Sequence, residues 1–158
     1  MDVVFINPSV GDNYQALKLK YSAIEPPTWS LLLAQSMRSF GYKVSIIDIN
    51  AEKISQDQVY DRITKIKPRL IAMVVYGQNV NAGTTNMEGA LKLSKFLKNK
   101  NKEFKIAYFG SHVQAMPRET LRKENSVDIV FTNEGVYALK NLLKLNTFDS
   151  QNLLKIKG

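Results

Sequence analysis

The chain has 158 residues, 44% of them hydrophobic, enough for one domain that buries about 70% of the surface its unfolded chain exposes. It has no cysteine and a single histidine, His112, which excludes a disulfide framework, a thiolate metal site and a histidine cluster; a metal would have to arrive inside a cofactor. The net charge of +8 leaves nucleic acid, an acidic partner or an anionic ligand open.

The amino-terminal run Val3-Val4-Phe5-Ile6 is too short for a signal-peptide core and has no basic leader, so a cytoplasmic location is expected. No stretch approaches ~18 continuous apolar residues, so no membrane span is expected. The same run, ended by Asn7-Pro8, reads as a central strand buried on both faces. Pro8 to Ile24 is a long irregular segment of the kind that carries function. After Pro26-Pro27-Thr28 a helix is expected, with Leu32, Leu33, Ser36, Met37 and Phe40 on its buried face and Gly41 closing it. Val44 to Ile49 is a second strand. Ser55 and Gln58 have capping-box spacing ahead of Val59, Ile63 and Ile66, and Pro68 ends that helix.

Leu70 to Tyr76 is the third strand. Thr85 and Glu88 repeat the capping-box spacing, and Met87, Leu91, Ser94 and Leu97 form the expected buried stripe of the next helix. Its lysines, Lys92, Lys95, Lys98 and Lys100, with Lys102 and Lys105 beyond, read first as a solvated face. Lys105 to Phe109 is the fourth strand, breaking into a flexible polar turn at Gly110-Ser111-His112. A short helix from Pro117 to about Glu124 precedes a fifth strand, Asp128 to Thr132, and Gly135 opens a last helix with Val136, Leu139, Leu142 and Leu143. Alternation of five strands and five helices with short connections predicts an α/β fold, Rossmann-like or flavodoxin-like, with a five-stranded parallel sheet in the order 2-1-3-4-5 and helices on both faces.

In such a sheet the residues that follow each strand converge on one rim, where open α/β sheets bind ligands. The candidates are Asn7, Pro8 and Ser9; Tyr76, Gly77, Gln78 and Asn79; Gly110, Ser111 and His112; and Asn133, Glu134 and Gly135. Glycines admit close backbone approach, and amides and hydroxyls both donate and accept hydrogen bonds. That inventory suits many polar ligands, a corrinoid with its amide arms among them.

Three stretches narrow it: Pro26-Pro27-Thr28 with Leu31 to Ala34; Phe109-Gly110-Ser111-His112 with Ala115-Met116-Pro117-Arg118-Glu119; and Asn133-Glu134-Gly135. In this order they resemble the cobalamin-binding (vitamin B12-binding) amino-terminal domain of cobalamin-dependent radical S-adenosylmethionine enzymes, over roughly residues 1–145. That family has Gly-Gly-Pro-His where this chain has Phe109 to His112, so Phe109 and Ser111 depart from it, and Gly-Glu-Gly where this chain has Asn133 to Gly135.

The resemblance implies that the listed rim residues hold cobalamin. It implies further that residues 146–158 begin a linker to a catalytic domain of the same polypeptide, with Gly158 an internal boundary, although composition alone allows a native end. The iron–sulfur cluster and S-adenosylmethionine would belong to that domain, and the reaction would be a methyl transfer or another radical rearrangement. Methyltransferase and mutase relatives carry Asp-x-His-x-x-Gly after the first strand, its histidine binding cobalt from below. Here the loop reads Asp12-Asn13-Tyr14-Gln15-Ala16-Leu17, which implies base-off binding without a lower axial histidine, the loop from Tyr76 to Val80 approaching the lower face. His112 is read as a contact to the corrinoid or its tail, not a ligand of cobalt. Glu134 is either favoured by the helix dipole or an acceptor for a corrin amide or ribose hydroxyl. Trp29 is read as an anchor in the core or at a domain interface, with stacking on a cofactor the lesser alternative.

A receiver domain would need acidic residues after the first strand and an aspartate after the third, where Asn7-Pro8 and Tyr76-Gly77 stand. Neither a glycine-rich nucleotide loop nor a nucleophile elbow occurs, and no cysteine motif can hold an iron–sulfur cluster. The chain alone therefore lacks catalytic machinery. The remaining alternative is a non-catalytic α/β module that binds RNA or an acidic protein through its lysine-rich helix.

Overall fold

The structure, a computed structural model, describes residues 1–9, 26–77, 80–154 and 156. Five parallel strands form one sheet in the order β2-β1-β3-β4-β5, as expected. β1 (Val3–Asn7) lies between β2 (Val44–Asp48) and β3 (Leu70–Val74), with Val3 opposite both Val44 and Leu70. β4 (Ile106–Phe109) pairs with β3, and β5 (Ile129–Val130) forms the edge. Val3 to Ile6 have no exposed surface, because alternate side chains feed two cores. Val4 and Ile6 pack with Val59 and Ile63 of α3 (Gln56–Ile66) and with Met87, Ala90, Leu93 and Leu97 of α4 (Val80–Lys100). Val3 and Phe5 face α1 (Thr28–Ser39) and α7 (Val136–Leu143). The short helices are α2 (Ile49–Glu52), α5 (Ser111–Ala115), α6 (Pro117–Lys123) and α8 (Ser150–Leu153).

The capping box of α3 forms in full: Ser55 Oγ accepts from the Gln58 amide, and the Gln58 side chain accepts from the Ser55 amide. α1 ends in a Schellman turn, where Gly41 at φ +87° donates to Arg38 O and Tyr42 to Met37 O. Its buried stripe is Ser30, Leu33, Ala34 and Met37, whereas Leu32 is 55% exposed and Phe40 is exposed beneath the Lys140 ammonium, 3.9 Å from the ring centroid. The run Leu31-Leu32-Leu33 offers hydrophobicity at every phase, and the small residues Ser30 and Ala34 decide the face by letting α1 approach the sheet.

α4 starts at Val80, ahead of the expected cap, so Thr85 and Glu88 lie inside the helix. Its stripe gains Ala90 and Leu93, while Leu91 is half-buried. The expected flexible turn at Ser111-His112 is instead helix α5, entered through Gly110. β5 is shorter than the expected Asp128 to Thr132, and Asp128, just ahead of it, serves as a junction, accepting the Ile106 amide at 2.8 Å and the Lys98 ammonium at 2.8 Å.

Lys98 belongs to the lysine stripe, and its neighbours are also compensated: Lys95 pairs with Glu124 at 2.9 Å, Lys100 with Asp57 at 3.7 Å, and Lys105 approaches Asp128 at 4.0 Å. The stripe is thus tied into the fold, not presented as an uncompensated track for a phosphate backbone.

Tyr108 is fully buried, and its hydroxyl and that of Ser94 share a 2.6 Å hydrogen bond, while Ser94 donates to Ala90 O. Burial pushes the Tyr108 phenol well above its ordinary pKa, with the Ser94 bond opposing the shift. Ser94→Ala strands that phenol and should cost about 1–3 kcal/mol in urea denaturation. Adding Tyr108→Phe should recover part of the loss, and a double variant no more stable than the single one would show that the pair is not coupled.

Candidate functional site

The carboxyl ends of all five strands lie on one rim of the sheet. β3 and β4 are drawn together there by Gly110. Val75 N–H donates to Phe109 O at 2.8 Å, and a Cβ on Gly110, at φ +146°, would stand 2.1 Å from Val75 O. Gly83 plays a similar part on α4, where a Cβ would lie 2.7 Å from Ser111 Oγ. Gly110 is therefore demanded by the protein's own packing, before any ligand is considered.

The next residue after Val75 is Tyr76, half-buried, its ring stacked on Trp29 of α1 at 4.5 Å between centroids and 23° between planes. Trp29 is 41% exposed, so it is not a core anchor. Together the two rings form an aromatic step open to solvent at the rim. Gln114 of α5 donates from Nε2 to the Tyr76 hydroxyl at 2.8 Å and to Asn133 O at 3.0 Å. One amide thereby joins the loops after β3 and β5. Asn86 of α4 adds a bond to Tyr76 O at 3.2 Å. Partial burial raises the Tyr76 phenol pKa, opposed by the Gln114 bond and reinforced by the charge of Glu134. The phenol is thus neutral at physiological pH and can both accept and donate.

Asn133 turns its Oδ1 onto the Gly135 amide at 2.7 Å, which sets the entry to α7. Glu134 is exposed beside it. His112 is half-buried, with Nδ1 3.4 Å from Thr84 Oγ. Asn7 points the other way: its Nδ2 donates to Oδ1 of Asp48, which caps α2, and Pro8 O accepts from Asn50. Ser9 and Gly77 are half-buried, and Gln78 and Asn79 lie outside the described residues, as does the loop from Asp12 to Leu17. The geometry therefore brings Tyr76, Asn133 and Glu134 together around Gln114, sets Ser111 and His112 against the start of α4, and commits the Asn7 amide to β2. Gln114 and the stack of Trp29 on Tyr76 were missed from sequence. Trp29 and Tyr76 are far apart in the chain, and a glutamine inside a short helix carries no pattern.

The B12 binding domain model matches residues 14–143. The chain belongs to the B12-binding domain family. It is 26% identical over 144 residues to an anaerobic magnesium-protoporphyrin IX monomethyl ester cyclase of Rubrivivax gelatinosus, covering 90% of this chain and 24% of that protein. It is 28% identical over 128 residues to an uncharacterised methyltransferase of Pyrococcus horikoshii, covering 81% of this chain and 26% of the relative. The chain thus spans about a quarter of the length of these curated relatives.

Among solved structures, the B12-binding chain shares its fold with the cobalamin-dependent S-adenosylmethionine radical enzyme OxsB with aqua-cobalamin bound, at TM-score 0.68 and 16% identity over 90% of this chain and 18% of that one. It shares it also with the radical S-adenosylmethionine methyltransferase TsrM from Kitasatospora setae, at TM-score 0.66 and 12% identity over 90% of this chain and 25% of that one. No helix among the described residues of the B12-binding chain is long and apolar enough to cross a membrane.

Tyr76→Ala removes the ring that shields one face of the single tryptophan. Acrylamide quenching of Trp29 fluorescence should rise in a variant that keeps a cooperative urea transition, at a lower midpoint; unchanged quenching would show that the stack does not persist in solution.

Proposed function

We propose that this chain is the corrinoid-holding module of a larger cobalamin-dependent radical S-adenosylmethionine enzyme. The observation that carries the reading is the B12-binding family match over residues 14–143. The rim supplies what such a ligand requires. Trp29 and Tyr76 give an apolar face for a broad ring, and Gln114, Asn133, Ser111 and His112 set hydrogen-bonding groups around it for an amide fringe. Ser30, which follows Trp29, is buried with a hydroxyl that finds no partner among the described residues, a polar atom of the kind that a bound ligand or water satisfies.

Cobalamin, when bound, supplies a carrier for a methyl group or a centre for radical chemistry. The chain's own residues bind and orient it, and the substrate, the iron–sulfur cluster and S-adenosylmethionine belong to the remainder of the enzyme. Methyl transfer is the reaction we favour, because relatives and fold neighbours include methyltransferases. We assign Ser9, Gly77, Gln78 and Asn79 to the same rim by topology, together with Pro8, Gly110, Glu134 and Gly135. Asn7 acts indirectly, by fixing the β1 loop to Asp48.

The first strand is followed by no Asp-x-His-x-x-Gly pattern, and His112 is engaged near Thr84. In this reading a bound cobalamin would be base-off with no histidine of this chain on cobalt, and the loop after β3, beginning at Tyr76, would approach its lower face. The paired lysines of α4 disfavour the RNA alternative.

Incubation with hydroxocobalamin followed by desalting should leave corrinoid on the protein with a base-off visible spectrum, and His112→Ala should leave the spectrum unchanged. Colourless protein would contradict corrinoid holding by this chain. A nitrogen-ligated spectrum abolished by His112→Ala would contradict the mode of binding.

A further inference from the structure

Gln114 fixes the direction of a hydrogen bond as well as the position of Tyr76. The Asn133 carbonyl can only accept, so the Gln114 atom that faces it at 3.0 Å is the amide nitrogen, Nε2. The second Nε2 hydrogen goes to the Tyr76 hydroxyl at 2.8 Å, which makes that hydroxyl an acceptor on the Gln114 side. A phenol oxygen accepts and donates on different sides of its C–O bond, so the Tyr76 proton points away from Gln114. No acceptor for it stands among the described residues, since Glu134 acts on the phenol by charge and makes no hydrogen bond to it. The proton is nonetheless retained: partial burial, opposed by the Gln114 bond and reinforced by Glu134, holds the phenol above its ordinary pKa. The stack on Trp29 and the bond from Asn86 to Tyr76 O fix ring and backbone. The rim therefore carries an aimed donor before any ligand arrives, which lowers the ordering cost of using it.

Resting on the cobalamin reading, we propose that the Tyr76 hydroxyl donates a hydrogen bond to an amide carbonyl of the corrin fringe, and that Gln114 is the positioning residue that aims it. The charge of Glu134 nearby disfavours an anionic acceptor, and the corrin's amide arms offer neutral ones. Because the contact is to the fringe, it is indifferent to the nucleotide arm.

The test is a set of absorbance titrations with hydroxocobalamin and with diaquacobinamide, which keeps the fringe amides and lacks the nucleotide. Tyr76→Phe keeps the ring and removes the donor. It should weaken both ligands about tenfold, with acrylamide quenching of Trp29 unchanged. Affinities within about twofold of wild type overturn the proposal and leave corrinoid holding intact. A loss confined to cobalamin overturns it as well, because the hydroxyl would then meet the nucleotide arm. So does a loss accompanied by increased quenching, which would make the hydroxyl a support for the stack and not a contact. Failure of the wild-type chain to bind either ligand overturns the cobalamin reading and this inference with it. Gln114→Met frees the phenol to turn its proton to either side. In that background Tyr76→Phe should cost clearly less than in the wild type, and an equal cost removes Gln114 from its assigned role. The Tyr76→Phe titrations decide for or against the donor without the second variant.

Discussion

The rim depends on the approach of β3 to β4 at Val75 and Gly110. Because Gly110 has no side chain and takes a positive φ, the Val75 carbonyl can occupy the place where a Cβ would be, 2.1 Å from that position. The chain then leaves β4 directly into α5, which carries Gln114 to the Tyr76 hydroxyl and the Asn133 carbonyl. Tyr76, held from that side, presents its ring to Trp29. A side chain at position 110 would push these strands apart and take the network with them, since left-handed strain and a backbone collision act together there.

The sheet was legible because β-branched and aromatic runs bounded by Pro, Gly and polar residues carry both strand type and burial. Val3 to Ile6 and Leu70 to Val74 are buried on both faces, and alternation with helices left one economical strand order. Helix phase was harder to read. In α1 three consecutive leucines hide the stripe that Ser30 and Ala34 define, because small buried residues contribute little hydropathy. In α4 the capping-box spacing of Thr85 and Glu88 pointed to a later start, but the helix already runs through Gly83, whose missing side chain makes room for Ser111. Site legibility divided along the same line. Loop positions follow from topology, whereas the links among them, Gln114 to Tyr76 and Asn7 to Asp48, join residues with no local pattern.

Glycine illustrates how one residue type carries two meanings. Gly110 and Gly135 stand where ligand loops are expected, yet the atoms that exclude a side chain are Val75 O and the Phe109 ring. Their rigidity serves binding indirectly by holding the polar groups of the rim in place, which reduces the ordering cost of capturing a ligand. The excess positive charge belongs elsewhere. Its densest stretch on α4 is braced by Asp57, Glu124 and Asp128, so the charge visible in composition describes a surface and not a site.

The central claim is that a corrinoid occupies the rim at the Trp29–Tyr76 step. Its most direct test is a titration of the 15N-labelled chain with hydroxocobalamin, a diamagnetic cobalt(III) compound, followed by two-dimensional NMR. The account predicts that the Trp29 indole N–H, the Gln114 side-chain amide and the backbone amides of Tyr76 and Asn133 shift together, while amides of the α4 lysines stay in place. Shifts centred on that lysine face, or none at the rim, would contradict it.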